Sequence, residues 1–166
     1  MTKKLTLQHK DVQNLVSDIC RDIVLDDFRP DYVIGIVRGG SVPAVLVSHY
    51  FDVPLWTLKV SLRDHTDTES NCWMAEDAFE GKNILIVDDI NDSGETINWI
   101  QEDWASSCHP HSPQWQTVWG NNVKIAVLVD NLSSNAKTTP SYVGLEVNKA
   151  ENDVWIDFPW EDWWAK

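Results

Sequence analysis

At 166 residues, 43% of them hydrophobic, the chain has the length of one domain with one sizeable core. Aspartate and glutamate number 26 against 13 lysines and arginines, a formal charge of −13 with no basic run, which argues against nucleic acid as a partner. No apolar stretch suits a signal peptide or a bilayer span, so no membrane partner is expected, and three widely spaced cysteines do not describe a disulfide framework; the expectation is a cytoplasmic protein with free thiols.

Val12, Leu15, Val16, Ile19, Cys20, Ile23 and Val24 recur at helical spacing, which predicts an amphipathic helix from about residue 8 to 25, stopped before Pro30. Tyr32 to Val37 reads as a strand buried on both faces. It runs into Arg38-Gly39-Gly40 and then a helix from about Val42 to Phe51. The two glycines let the backbone approach a ligand closely, and an arginine at a strand end can grip a phosphate or sit in solvent. Pro54 to Val60 is a third strand, with Lys59 at its end as a candidate cation. Residues 61 to 81 are polar, acidic and without a sustained period, so a long loop is expected there.

Ile84 to Val87 is a further buried strand, and it ends in acid: Asp88 and Asp89 follow at once. Neighbouring side chains on a strand point to opposite faces, so both carboxylates cannot enter the core and belong at the carboxyl edge of the sheet, where open α/β sheets bind ligands. Asp92, Ser93, Gly94, Glu95 and Thr96 can then form a tight turn and open a helix through Ile97, Ile100 and Trp104. Such a helix start offers N–H groups to an anion. An apolar strand ending in two aspartates also opens response-regulator domains, but there it lies near the chain start and lacks the Ser-Gly-x-Thr turn.

Residues 106 to 122 read as an inserted surface or subunit-contact loop with Trp115 and Trp119 as apolar anchors. Val123 to Val129 and Tyr142 to Val147 are the remaining strands. The aromatic ending E-N-D-V-W-I-D-F-P-W-E-D-W-W should pack rather than stand exposed.

The stretch V-D-D-I-N-D-S-G-E-T (87–96) resembles the phosphoribosyl pyrophosphate (PRPP) loop of the type I phosphoribosyltransferases. The resemblance implies that Asp88 and Asp89 hold the ribose hydroxyls and the metal, Mg²⁺, while Asp92 through Thr96 cradle the 5′-phosphate, with Asp92 as general base toward the purine ring. It makes V-R-G-G the pyrophosphate loop, with Arg38, Gly39 and Gly40 on the leaving group, unusual backbone geometry at Arg38 to Gly39, and Lys59 or Arg63 as a second cation. The 61–81 loop becomes the mobile segment that closes over the reaction. Trp155-Ile156-Asp157-Phe158-Pro159-Trp160-Glu161 is similar to W-I-x-x-P-W-[DE] near the end of the xanthine-guanine group, which implies that Trp155 stacks on the base while backbone groups of Ile156 and Asp157 bond its edge. The lysine that commonly follows the Val123–Val129 strand and reads the purine 6-oxo group is missing; Asp130 and Asn131 stand there, and Asn131 is the candidate donor.

The resemblance therefore implies one α/β domain, a mainly parallel sheet flanked by helices, with its core at about 32–130 and a small hood from the N-terminal segment and about 140–166. It implies transfer of a 5-phosphoribosyl group from PRPP to a 6-oxopurine with release of pyrophosphate, in a homodimer or homotetramer. A PRPP- or nucleotide-binding regulator without catalysis, or an enzyme for a non-purine acceptor, are the alternatives.

Overall fold

The computed structural model of the protein describes residues 2–60 and 71–166. Along the chain it forms β1 (Lys3–Thr6), α1 (His9–Leu25), β2 (Tyr32–Val37), α2 (Ser41–Phe51), β3 (Leu55–Lys59), α3 (Cys72–Phe79), β4 (Ile84–Asn91), α4 (Glu95–Ser107), β5 (Val123–Asn131), β6 (Tyr142–Val147) and β7 (Val154–Asp157). Short 3-10 turns lie at Pro113–Thr117 and Trp163–Ala165.

The unbroken apolar runs of β2, β4 and β5 need cover on both faces, and the period of two divides them between two helical layers. Val33, Leu85, Val87, Ala126 and Leu128 pack against α1 and α2 through Val12, Val16, Ile19, Ile23, Ala44 and Val47. The alternate residues Ile34, Ile36, Ile84, Ile86, Ile125 and Val127 meet α3 and α4 through Met74, Ala78, Ile97, Ile100 and Trp104. Burying each large aliphatic side chain stabilises this sandwich by roughly 1.5–3 kcal/mol relative to exposure.

The five strands of the main sheet are parallel in the order β3-β2-β4-β5-β6. After β2 the chain places β3 on one side and β4 on the other, so the order reverses between β2 and β4. Connections leaving the carboxyl ends of these two strands diverge, and a crevice opens between them. A separate two-stranded parallel sheet joins β1 to β7, from Lys3 opposite Val154 to Thr6 opposite Asp157.

Several expectations change. Within the stretch read as one long loop, residues 72–79 fold as α3, because Met74, Ala75 and Ala78 form a short buried stripe, and Tyr32 Oη donates to Asp77 at 2.9 Å. Residues 61–70, with Arg63 and the first part of the expected mobile loop, lie outside the described residues. Strand β6 belongs to the main sheet, so the core reaches Val147, and of the N-terminal segment only β1 joins the small sheet while α1 packs on the large one. Trp115 is buried and its indole N–H donates to the Cys108 carbonyl at 2.8 Å, so this tryptophan anchors its own loop rather than a subunit contact. Trp119 likewise packs inward, 5.4 Å from Trp104. The terminal Trp163 and Trp164 are 67% and 71% exposed, contrary to the expectation that the aromatic ending packs. Cys20, Cys72 and Cys108 are free thiols. No helix among the described residues is long and apolar enough to cross a membrane.

Candidate active site

A cleft of about 1480 Å³ occupies the crevice between the ends of β2 and β4 and extends beneath the small sheet. It exceeds the volume usual for one small ligand, which suits two substrates side by side. On its β2 side the chain turns sharply: Gly40 N–H donates to Ile36 O at 2.8 Å and Ser41 N–H to Arg38 O at 3.0 Å. A Cβ on Gly40 would lie 2.5 Å from Val87 O and 2.7 Å from Ile36 O, so only glycine lets this turn press against β4. Arg38 and Gly39 line the cleft, whereas Gly40 sits behind it as a packing residue. The unusual backbone geometry falls one bond earlier than expected, at a cis Val37–Arg38 peptide. Lys59, at the end of β3, lines the same wall.

The ladder between β2 and β4 stops at Gly35 opposite Val87, while β4 stays paired with β5 as far as Asn91 opposite Asp130. Asp88 and Asp89 are therefore still in the strand, on a margin that β2 has left open. Both are half-buried and line the cleft. Asp89 N–H donates to Asp88 Oδ1 and Ile90 N–H to Asp89 Oδ1, each at 2.8 Å. Burial first, and then the adjacent Asp89 carboxylate, push the Asp88 carboxyl well above the ordinary carboxylate range. A cation or a hydroxyl-rich ligand would relieve that crowding. Among the described residues no group of three or more His, Cys, Asp or Glu could enclose a metal. Two carboxylates completed by substrate oxygens is the donor set a magnesium ion takes, so the pair fits Mg²⁺.

The next turn is held from behind. Gly94 has φ 93°, and a Cβ there would lie 2.3 Å from Ala136 N. Asn135 N–H donates to Ser93 O at 2.8 Å, Asn98 Nδ2 to Asn135 O at 3.0 Å, and Lys137 N–H to Asn98 Oδ1 at 2.8 Å. The segment after β5 thus braces the start of α4. Asp92, Ser93, Gly94, Glu95 and Thr96 all face the cleft, with Ser93 Oγ accepting from Glu95 N–H at 3.2 Å. The α4 N-terminus opens onto the cleft as a site for an anionic group.

At the end of β5 the arrangement departs from expectation. Asp130 is buried and its Oδ1 accepts from Asn91 Nδ2 at 2.8 Å. Asn131 is buried too, and both ends of its amide are bonded: Nδ2 donates to Asp92 O at 2.9 Å, while Oδ1 accepts from Ser133 Oγ at 2.8 Å and Lys149 N–H at 3.0 Å. Asn131 does not line the cleft, so the expected base donor is instead a brace between the turn at Asp92 and the turn before β7. Trp155 and Ile156 do line it, Trp155 with a half-exposed ring suited to stacking. Asp157 does not. Burial alone would make the carboxyl harder to ionise, but Lys166 at 3.1 Å, Lys4 at 3.8 Å and the Thr6 hydroxyl hold its pKa below the usual range, and its carbonyl accepts from Leu7 N–H at 2.9 Å. Its role is to tie β1 and the C-terminus to β7.

Lys149 completes the site, and nothing in the strand pattern singled it out. Its Nζ lies 3.0 Å from Asp92 Oδ1 and 5.8 Å from the centroid of the Trp155 ring. The available signal was its place six residues before Trp155, in a polar turn.

Comparisons with known proteins bear on the family and the fold. The phosphoribosyl transferase domain matches residues 4–163. A xanthine-guanine phosphoribosyltransferase from Idiomarina loihiensis is 26% identical over 133 residues, 78% of this chain and 70% of that protein. Another, from Chromohalobacter salexigens, is 27% identical over 154 residues, 92% of this chain and 78% of that one. The crystal structure of a purine phosphoribosyltransferase from Pyrococcus horikoshii superimposes with a TM-score of 0.69 at 24% identity, covering 96% of this chain and 95% of the other. With a family match across nearly its whole length and the fold to go with it, the chain belongs to the phosphoribosyltransferase family.

Proposed function

We propose that the protein transfers the 5-phosphoribosyl group of PRPP to a 6-oxopurine, guanine, xanthine or hypoxanthine, and releases pyrophosphate, a purine-salvage reaction. The observation that carries the reading is one cleft holding an acid pair, a helix N-terminus, an arginine turn and an aromatic platform. The 5′-phosphate would sit on the turn Ser93–Thr96 at the start of α4, the ribose hydroxyls on Asp88 and Asp89, and the pyrophosphate against Arg38 and Gly39, with Lys59 adding charge. The base would stack on Trp155 beside Ile156.

As the bond from C1′ to the pyrophosphate oxygen lengthens, its electron pair goes to the leaving group and positive character develops on the sugar. Arg38 and Lys59 favour that separation by holding the pyrophosphate charge. Asp88 and Asp89 fix the ribose and would also hold Mg²⁺, which when bound screens the phosphate charges. A ring nitrogen of the stacked base then closes on C1′, and Asp92 takes the proton the purine ring gives up. No protein nucleophile is required; positioning and charge supply the rate.

Pyrophosphate release from PRPP and Mg²⁺ with a panel of bases tests the proposal: turnover is expected with 6-oxopurines. PRPP binding without turnover on any base would assign the chain to nucleotide-responsive regulators instead. The homodimer or homotetramer is part of the same proposal, read by sedimentation.

A further inference from the structure

We infer that Lys149, in the turn between β6 and β7, is the residue that reads the exocyclic oxygen of the base, and that Asn131 positions it; this rests on the 6-oxopurine reading above. The end of β5 offers the base no cation, and both of its polar side chains, Asp130 and Asn131, are spent inside the protein. Among the described residues three cations line the cleft: Arg38, Lys59 and Lys149. Arg38 follows β2 and Lys59 ends β3, on the pyrophosphate side of β4. Lys149 follows β6, on the other side, next to the aromatic platform.

The placement of Lys149 is built rather than incidental. Its side chain is only 19% exposed. Its backbone N–H is held by Asn131 Oδ1 at 3.0 Å, and its turn is closed by Glu151 N–H and Asn152 N–H on Asn148 O at 3.1 and 2.9 Å. The same Asn131 amide donates to the Asp92 carbonyl, so one buried side chain sets the spacing of Lys149 and Asp92 together.

The chemistry that this pair selects follows from its donors and acceptors. An ammonium has three donors and no acceptor, so one bond to Asp92 leaves two for a ligand. In a 6-oxopurine the exocyclic oxygen and the adjacent ring N–H share one edge. A base stacked on Trp155 can turn that exocyclic oxygen to Lys149. A 6-aminopurine presents a donor where Lys149 needs an acceptor, leaving both groups unmatched. Lys149 is thus a specificity residue, supplied by the small sheet's leading turn instead of by β5.

The test is calorimetric titration of guanosine and adenosine 5′-monophosphates, and of PRPP, into the wild type, K149M, K149Q and K149R, beside turnover with hypoxanthine and adenine. Loss of a charged hydrogen bond is expected to weaken guanosine monophosphate binding by roughly ten- to a hundredfold in K149M and K149Q. Affinity for adenosine monophosphate and PRPP should hold within about threefold, and K149R should restore part of the preference. An unchanged guanosine-to-adenosine affinity ratio in K149M and K149Q would overturn the assignment while leaving the enzyme reading intact. A wild type that turns over no 6-oxopurine and shows no preference would overturn both.

Discussion

Replacing Asn131 by alanine removes a buried amide that holds two loops at once. The substitution strips a donor from the Asp92 carbonyl at 2.9 Å and an acceptor from the Lys149 N–H at 3.0 Å, and it also releases the Ser133 N–H at 3.3 Å. The Ser133 hydroxyl can rotate to water, and its long N–H contact is weak, so the two shorter bonds dominate. Each backbone group left unpaired in a buried setting costs about 1–2 kcal/mol, giving about 3 kcal/mol in all. For a domain of this size that lowers the midpoint of thermal unfolding by roughly 6–12 °C. Because the freed turn carries Lys149, KM for the base should also rise about tenfold, whereas the PRPP dissociation constant changes little. N131D separates the two effects, since it keeps the oxygen that accepts from Lys149 N–H and loses the donor to Asp92. Differential scanning calorimetry and steady-state kinetics on the three proteins make the check. A loss below about 1 kcal/mol in N131A, with base KM unmoved, would refute the bracing role.

Other perturbations reach different parts of the structure. Gly94→Ala puts a Cβ 2.3 Å from Ala136 N at φ 93°, so the phosphate turn must shift; isothermal titration should show PRPP affinity at least about tenfold weaker, from a backbone cost of about 1–3 kcal/mol. Trp104 is fully buried and its indole N–H has no hydrogen-bond partner among the described residues. Trp104→Ala should cost about 3–5 kcal/mol in denaturant unfolding, while Trp104→Phe, which deletes that unpaired donor along with some area, should cost about half as much or less. Asp26 is held below its ordinary value of 3.8 by hydrogen bonds from Lys124 and Tyr142 and then by the Lys124 charge. A depressed carboxyl stabilises the fold at pH values above its unfolded constant and loses that contribution as the pH falls through the folded one. Asp26→Asn should therefore be less stable than the wild type at pH 7, with the gap closing in acid unfolding below about pH 4.

The parts of the fold legible in the sequence are those decided locally. β2, β4 and β5 announce themselves by apolar runs that only a strand covered on both faces can use, and α1 by a stripe that needs one neighbour. That Asp88, Asp89 and the turn at Asp92–Thr96 share one cleft wall was legible because their order along the chain is also their order along that wall. What could not be read depends on partners far away. β1 is exposed along its length and has no apolar pattern; it is a strand because β7 lies beside it, across about 150 residues of chain. α3 hides in a polar stretch because only Met74, Ala75 and Ala78 carry its contact. Asn131 and Asp157 were placed on the base by their neighbours in sequence, yet other loops claim their side chains: Lys149 and Asp92 in the first case, Lys4 and Lys166 in the second. Lys149 escaped notice for the matching reason, since its place in the site is made by a turn folding back onto β5.

The most direct test of the account is pyrophosphate release from PRPP and Mg²⁺ measured in parallel with guanine, xanthine, hypoxanthine, adenine, orotate and uracil. The account predicts turnover confined to one or more of the three 6-oxopurines, with chelation of the metal stopping it. Turnover with adenine, orotate or uracil alone, or PRPP binding with turnover on none of the six, would contradict it.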